Sequence, residues 1–168
     1  MYVGLISDTH GVFDQAFKDF LEPVDVLWHA GDWGGDEAFI NGIKEFKPVV
    51  GVYGNCDGYP ARYDFPEHQF FKCGGMSVLM THIGGYPGRY DYRAKALIEQ
   101  LRPQVFVCGH SHILKVVNDA RYDMLVINPG ACGIQGWHLV RTALRFHIDE
   151  GAVSGMEVFE LPRDNRSF

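Results

Sequence analysis

Met1-Tyr2-Val3-Gly4-Leu5-Ile6-Ser7-Asp8-Thr9-His10-Gly11 opens the chain, an apolar run that stops at a carboxylate and an imidazole two residues apart. Val3–Ile6 reads as a short buried strand. The segment has no basic n-region and meets Asp8 at once, so a first strand is expected in place of a signal peptide. The same pattern recurs twice downstream. Val12–Leu21 reads as a helix, with Phe13, Phe17, Phe20 and Leu21 at helical spacing on one face. Val24–His29 is the next expected strand and ends in Ala30-Gly31-Asp32. Asp36–Phe46 is the next helix, burying Phe39, Ile40, Ile43 and Phe46, and Pro48–Tyr53 is the third strand, ending in Gly54-Asn55-Cys56-Asp57. Strands alternating with helices imply right-handed crossovers and a mainly parallel sheet.

The second half is richer in hairpins. His68–Cys73 and Met76–Met80 flank Gly74-Gly75, a two-residue turn signal. Tyr92–Leu101 reads as a helix with Ala94, Leu97, Ile98 and Leu101 inward. Gln104–Cys108, Ile113–Asn118, Met124–Ile127, Leu139–Asp149 and Ala152–Leu161 read as strands, the last two joined at Glu150-Gly151. The expected fold class is α/β, a two-sheet βαβαβ sandwich flanked by helices, with residues 1–168 forming one domain.

Composition narrows the function. Apolar residues make up 46% of the 168 positions and charged residues 21%, as in an ordinary soluble globular protein. No apolar run approaches the roughly 18–20 residues needed to cross a bilayer. The four cysteines (Cys56, Cys73, Cys108, Cys132) contain no C-x-x-C pair, which favours reduced thiols and a cytoplasmic location. A net charge of -6 argues against broad electrostatic binding of nucleic acid or anionic lipid. Metal ions can nonetheless make one pocket positive on an acidic protein.

The chemistry lies at the strand ends: Asp8-Thr9-His10, Gly31-Asp32, Gly54-Asn55, Thr81-His82 and Gly109-His110-Ser111-His112. In an α/β sheet the carboxyl ends of the strands share one edge, where ligands bind. Residues i and i+2 of an extended chain point the same way, so Asp8 can face His10, and His110 can face His112. The glycines before Asp32, Asn55 and His110 allow a sharp turn and close approach to a ligand. Singly, each piece has a plain reading: Asp8 as a helix cap, Gly31-Asp32 and Gly54-Asn55 as turns, His82 as a satisfied histidine. Jointly, two carboxylates, four imidazoles and one amide oxygen suit Mn, Fe, Co, Ni or Zn and are poor for calcium.

In that order, Asp8-x-His10, Gly31-Asp32, Gly54-Asn55, His82 and Gly109-His110-x-His112 resemble the calcineurin-like metallophosphoesterases. The short chain, the Asn-Cys-Asp turn and Asn128-Pro129-Gly130 resemble the small phosphodiesterase branch, which also contains the retromer scaffold subunit. The resemblance spans roughly residues 3–130 and implies the metallo-dependent phosphatase fold. By it, Asp8, His10, Asp32 and His112 would hold one divalent ion, and Asp32, Asn55, His82 and His110 the other, with manganese foremost and Ni, Co, Fe or Zn also suitable. Asp32, Asn55 and His82 are expected to carry the catalytic step, in which a hydroxide bridging the metals attacks phosphorus in line.

Several departures accompany the match, one of them the segment Gly133–His138, which looks less like the family norm. The wider family carries a histidine, taken as the leaving-group acid, where this chain has Cys56, and an aspartate partner where it has Gly35, with Asp36 one place later. Cys56 is read as a small half-buried filler, and Asp57 either as a support behind the metal ligands or as a turn acceptor. Without a dedicated acid, phosphodiesters with good leaving groups are the expected small-molecule substrates, since leaving-group protonation is worth about 10²–10⁴-fold. Tyr86-Pro87-Gly88-Arg89-Tyr90 has two readings, a mobile flap with Arg89 as a phosphate clamp that contacts substrate and, ahead of it, a loop on which Arg89 is simply exposed. Asn128-Pro129-Gly130 is read as a structural turn at the rim, and His29, His68, His138 and His147 as structural or surface histidines. A membrane role is not expected, nucleic acid is disfavoured, and homo-oligomerisation is left open. The alternative to an enzyme is a non-catalytic metal-binding scaffold of the same fold.

Overall fold

In a computed structural model of the chain, residues 1–163 are described. The first half alternates as expected: β1 (Tyr2–Ile6), α1 (Gln15–Leu21), β2 (Val26–His29), α2 (Glu37–Phe46) and β3 (Val49–Gly51). A single turn, α3 (Ala61–Asp64), leads to β4 (His68–Cys73) and β5 (Met76–Thr81), then to a small hairpin of β6 (Gly85–Tyr86) and β7 (Arg89–Tyr90). After α4 (Tyr92–Leu101) come β8 (Val105–Val107), β9 (Leu114–Asp119), β10 (Met124–Pro129), β11 (Val140–Asp149) and β12 (Ala152–Pro162).

Two five-stranded sheets result, ordered β12-β11-β1-β2-β3 and β4-β5-β8-β10-β9. In the first, β1, β2 and β3 run parallel; in the second, β5, β8 and β10 do. Alternation along each strand decides which layer receives each side chain. Val3, Leu5 and Trp28 face the second sheet and pack with Val78, Met80, Val105 and Val107. Ile6 and Leu27 face outward against Phe17 and Leu21 of α1 and Ile40 and Ile43 of α2. On the far side, Leu79, Phe106 and Val126 pack under Ala94 and Ile98 of α4. The α/β two-sheet sandwich flanked by helices is the fold the sequence implies. Among the described residues, no helix is long and apolar enough to cross a membrane.

Some boundaries move, each for a local reason. The first helix begins at Gln15 instead of Val12, because Val12 closes a turn onto the Thr9 carbonyl and Asp14 is extended. Asp14 instead meets Arg141, with Oδ2 2.6 Å from Nη1. Asp36 lies outside α2 as its cap and accepts a hydrogen bond from the Phe39 amide at 2.9 Å. Neither the β6–β7 hairpin nor α3 is expected from the sequence, since each is too short to leave a period there. The hairpin pairs Gly85 with Tyr90 and Tyr86 with Arg89, which gives the segment read as a flap a defined backbone.

A candidate metal centre at the strand ends

The loops after β1, β2, β3, β5 and β8 meet at one edge, where the two sheets' carboxyl ends converge. Asp8 is fully buried. Its Oδ2 accepts hydrogen bonds from Ser7 Oγ at 2.6 Å and from the His110 amide at 3.1 Å. Its Oδ1 faces three imidazoles, with Nε2 of His112 at 3.1 Å, of His10 at 3.8 Å and of His82 at 3.9 Å. Asp32 accepts from the Cys56 amide through Oδ1 at 2.8 Å, while its Oδ2 lies 3.2 Å from His82 Nε2 and 3.8 Å from His10 Nε2.

Three groups of ligand atoms lie within 4.8 Å of one another: Asp8, His10 and His112; His10, Asp32 and Cys56; and Asp32, His82 and His110. The structure thus brings together every expected carboxylate and imidazole. Asn55 lies beside them on the wall of a cleft it shares with His82, its Nδ2 3.4 Å from Cys56 Sγ. Cys56, expected as filler, nonetheless has its sulfur within reach of His10 and Asp32.

The backbone behind these meetings differs from the extended one expected. Asp8 and His10 do not alternate on a strand: their φ angles are 53° and 44°, and those of Asp32, His110 and His112 are 56°, 67° and 59°. Each is a left-handed turn residue, a conformation costing roughly 1–2 kcal/mol outside glycine. Among the described residues only three other non-glycines, Arg102, Asp123 and Glu150, share it. Backbone strain is therefore concentrated where the chemistry is. The glycines act as expected, through close approach. A Cβ on Gly54 would collide with Asp32 Oδ1, and one on Gly109 with Ser7 Oγ.

The electrostatics follow from packing carboxylates among imidazoles. Burial pushes the Asp8 carboxyl up, but the close imidazoles of His112 and His82 and the hydrogen bond from Ser7 bring it below its ordinary pKa. Burial likewise opposes ionisation of Asp32, and its contacts with His82 and the Cys56 amide overcome it, again lowering the pKa. His82 is raised, with burial outweighed by Asp32 and Asp8. Three buried side-chain atoms among the described residues nevertheless lack a hydrogen-bond partner, and two of them, Asp8 Oδ1 and His82 Nε2, belong to this centre. His82 Nδ1 is 2.7 Å from the Ala30 carbonyl, which can only accept, so a proton sits on Nδ1, and in the neutral ring Nε2 is left with its lone pair free. An orphaned carboxylate oxygen and an orphaned imidazole nitrogen, turned toward the same point, fit a divalent transition-metal ion.

Supporting groups surround these. Asp57 accepts from the Gly54 amide at 2.8 Å and the Gly34 amide at 3.1 Å, the turn-acceptor role read from sequence. Asn128 holds the His110 loop, with Nδ2 donating to the Gly109 carbonyl at 2.8 Å and to Ser111 Oγ at 3.0 Å. His29 is structural: it is fully buried and stacked 3.7 Å from Trp33, and burial lowers its pKa to about 3. His147 stacks on Tyr2, and His68 borders the larger cleft. His138, expected in a structural or surface role, reaches the site, with its Nδ1 3.2 Å from His112 Nδ1. Its one sequence signal is that Gly133–His138 departs from the resembled pattern.

Two clefts open from the centre. The larger, about 720 Å³, runs from Asn55 and His82 past Tyr53 and Arg62 to Tyr92 and Leu97. The smaller, about 310 Å³, joins His110 and Ser111 to Arg89 and Lys115. Lys115 Nζ sits over the Tyr86 ring, 4.3 Å from its centroid, and Tyr86 pairs with Arg89.

Known proteins share this fold. No curated protein matches the chain. Among solved structures, an archaeal phosphodiesterase superposes with a TM-score of 0.73 at 20% identity, covering 96% of this chain and 100% of that one. Wild-type Vps29 of Entamoeba histolytica, in complex with zinc, gives a TM-score of 0.66 at 19% identity, covering 95% of this chain and 99% of that one. A conserved protein of Streptococcus pneumoniae, described as a predicted phosphoesterase, gives 0.65 at 21% identity over 97% of this chain and 90% of that one. At such identities the likeness shows the fold. The family assignment comes from the sequence profile of the calcineurin-like phosphoesterase superfamily domain, which matches residues 1–151. With that match over most of its length, the chain belongs to the calcineurin-like phosphoesterase superfamily.

Proposed function

We propose that the protein hydrolyses phosphate esters, phosphodiesters foremost, using two divalent cations. Asp8, His10, Asp32 and His112 would hold one, and Asp32, Asn55, His82 and His110 the other, with manganese the leading candidate. The observation that carries this reading is the pair of orphaned buried atoms, Asp8 Oδ1 and His82 Nε2, within a ring of ligand atoms. Cations held there would supply Lewis acidity toward the phosphoryl group and an activated water.

The chain's own residues do the rest. Asp32 Oδ2 lies 3.8 Å from His10 Nε2 and 3.2 Å from His82 Nε2 and would serve both ion positions. Asn55 and His82 face the larger cleft and would orient the phosphoryl group at its inner end. That cleft gives one ester arm a mostly apolar wall. Arg89 and Lys115 make no ion pair among the described residues, and at the smaller cleft they would meet a phosphoryl oxygen or an anionic arm. No histidine follows Asn55 to protonate the leaving group, so diesters with acidic leaving groups should react fastest.

The test is turnover of bis(p-nitrophenyl) phosphate by purified protein with Mn²⁺. Hydrolysis that depends on added metal and is abolished in Asp32→Ala is the expected result. Absence of turnover with Mn, Ni, Co and Zn, despite bound metal, would favour the second reading, a metal-binding interaction module. That reading draws on Trp137 and Leu139, which are 98% and 79% exposed in the loop beside His112.

A further inference from the structure

The loop Gly133–His138 lies over one imidazole of the centre, and we infer that His138 is a positioning residue that fixes His112 as the tautomer with a bare Nε2. The inference rests on the proposed role of His112 as a metal ligand. The Gly133 carbonyl can only accept a hydrogen bond, so His138 Nε2, 2.9 Å away, carries the proton. His138 Nδ1 is then bare and accepts. Its neighbour at 3.2 Å, His112 Nδ1, must donate, because two bare nitrogens at that distance would repel. The proton of His112 is thereby held on Nδ1, which leaves a lone pair on Nε2, the nitrogen that lies 3.1 Å from Asp8 Oδ1.

The loop is built to hold this relay. The Gly133 amide donates to the Asp8 carbonyl at 2.9 Å, and the Cys132 amide to the Ser7 carbonyl at 2.9 Å. The contacts form a closed ring: Asp8 backbone to Gly133, Gly133 to His138, His138 to His112, and His112 back to the Asp8 carboxylate. A displacement of the loop would therefore be passed to His112 through His138. Gly136 crosses directly over the pair with φ 122°, and a Cβ there would collide with His112 Nδ1. The Arg163 guanidinium donates to the Gly136 carbonyl and holds the crossing in place. His82 achieves the same end with the Ala30 carbonyl as its acceptor. His112 has a second imidazole instead, and outer partners of this kind orient metal-bound histidines and are typically worth about 10–100-fold in metal affinity.

Two measurements test this. In the zinc-loaded wild-type protein, long-range ¹H–¹⁵N imidazole spectra should show His112 protonated at Nδ1 and zinc-shifted at Nε2, with His138 protonated at Nε2. A His112 that binds zinc through Nδ1, or a His138 bare at Nε2, would overturn the assignment. Zinc calorimetry on His138→Phe and His138→Gln supplies the energetic half. His138→Phe should weaken one of the two bound ions by about 10–100-fold, and His138→Gln, whose amide oxygen can accept from His112, should recover most of that loss. Wild-type zinc affinity and stoichiometry in His138→Phe would sink the inference while leaving the proposed metal centre intact. A wild-type protein that binds no zinc would sink both. The spectra need no variant, so the test survives if either variant folds poorly.

Discussion

The two halves of the centre are built differently. Around Asp8, the ligand side chains are enclosed: Asp8 is 0% exposed, His10 6% and His112 17%, and the Gly133–His138 loop seals the outer side. Around Asp32, two side chains are equally buried, but His110 and Asn55 are exposed and border the two clefts. The closed half resembles a fixed socket and the open half a mouth. On the proposed function, this means one cation is held chiefly by the protein, while the other shares its surroundings with substrate. Asp32 joins the halves, so the comparison can be broken at Asp32 or sharpened on either side of it.

The largest effect should come from Asp32→Ala. Its Oδ2 is within 4 Å of imidazoles from both halves, 3.8 Å from His10 and 3.2 Å from His82, so its loss should empty the centre of both ions. Turnover should fall by more than the roughly 100-fold that loss of an outer partner costs. Retention of one tightly bound ion per chain, measured by metal analysis, would show that the halves are independent sockets. A smaller effect separates the halves. Saturating Mn²⁺ should raise the unfolding temperature, because a ligand at 100 times its Kd stabilises the native state by about 2.7 kcal/mol. His10→Ala, in the closed half, should lose more of that rise than His110→Ala, in the open half. Equal losses in thermal melts would erase the distinction.

How much of this could be read from sequence differs between the same two halves. The layered fold was legible because apolar periods of about 2 and 3.6 residues are long-range features that survive local irregularity. The carboxylates and imidazoles were legible because each ends an expected strand. Their backbone geometry was not. The spacing of Asp8 and His10 suggests an extended chain, whereas both residues are left-handed and reach each other through turns fixed by tertiary hydrogen bonds such as Asp8 amide to Gly31 carbonyl. His138 leaves no clear mark because its partner is 26 residues away and its role depends on the carbonyl of a residue five positions back. The β6–β7 hairpin is hidden for a simpler reason: two-residue strands carry no period. Side chains were readable wherever chemistry marks them, and supporting contacts were not, since any residue type can supply a carbonyl.

Arg89 tests the mouth of the open half. It is exposed, so its contribution to binding an anionic ester is limited to the scale of a surface ion pair, up to about 1 kcal/mol. Arg89→Ala should therefore raise KM by up to about fivefold and leave kcat close to wild type. A fall in kcat with KM unchanged would move Arg89 from substrate capture to transition-state stabilisation.

The smallest effect is expected at Cys56, where the two halves come closest to sharing a third kind of ligand. Its sulfur joins His10 and Asp32 in one group of candidate ligand atoms, which argues for a role in the centre. Against that, the residue is largely exposed, and the partial desolvation of its sulfur together with the charge of Asp32 raises the thiol pKa, disfavouring the thiolate that metals and nucleophilic chemistry require. The backbone amide of Cys56, which holds Asp32 Oδ1 at 2.8 Å, is the part that positions the centre, and any residue but proline supplies it. Cys56→Ser should accordingly keep turnover of bis(p-nitrophenyl) phosphate within about twofold, the range of a substitution at an exposed site. A loss of several orders of magnitude with metal content intact would make the thiol a participant in the reaction. The open half would then contain the proton donor that its sequence otherwise lacks.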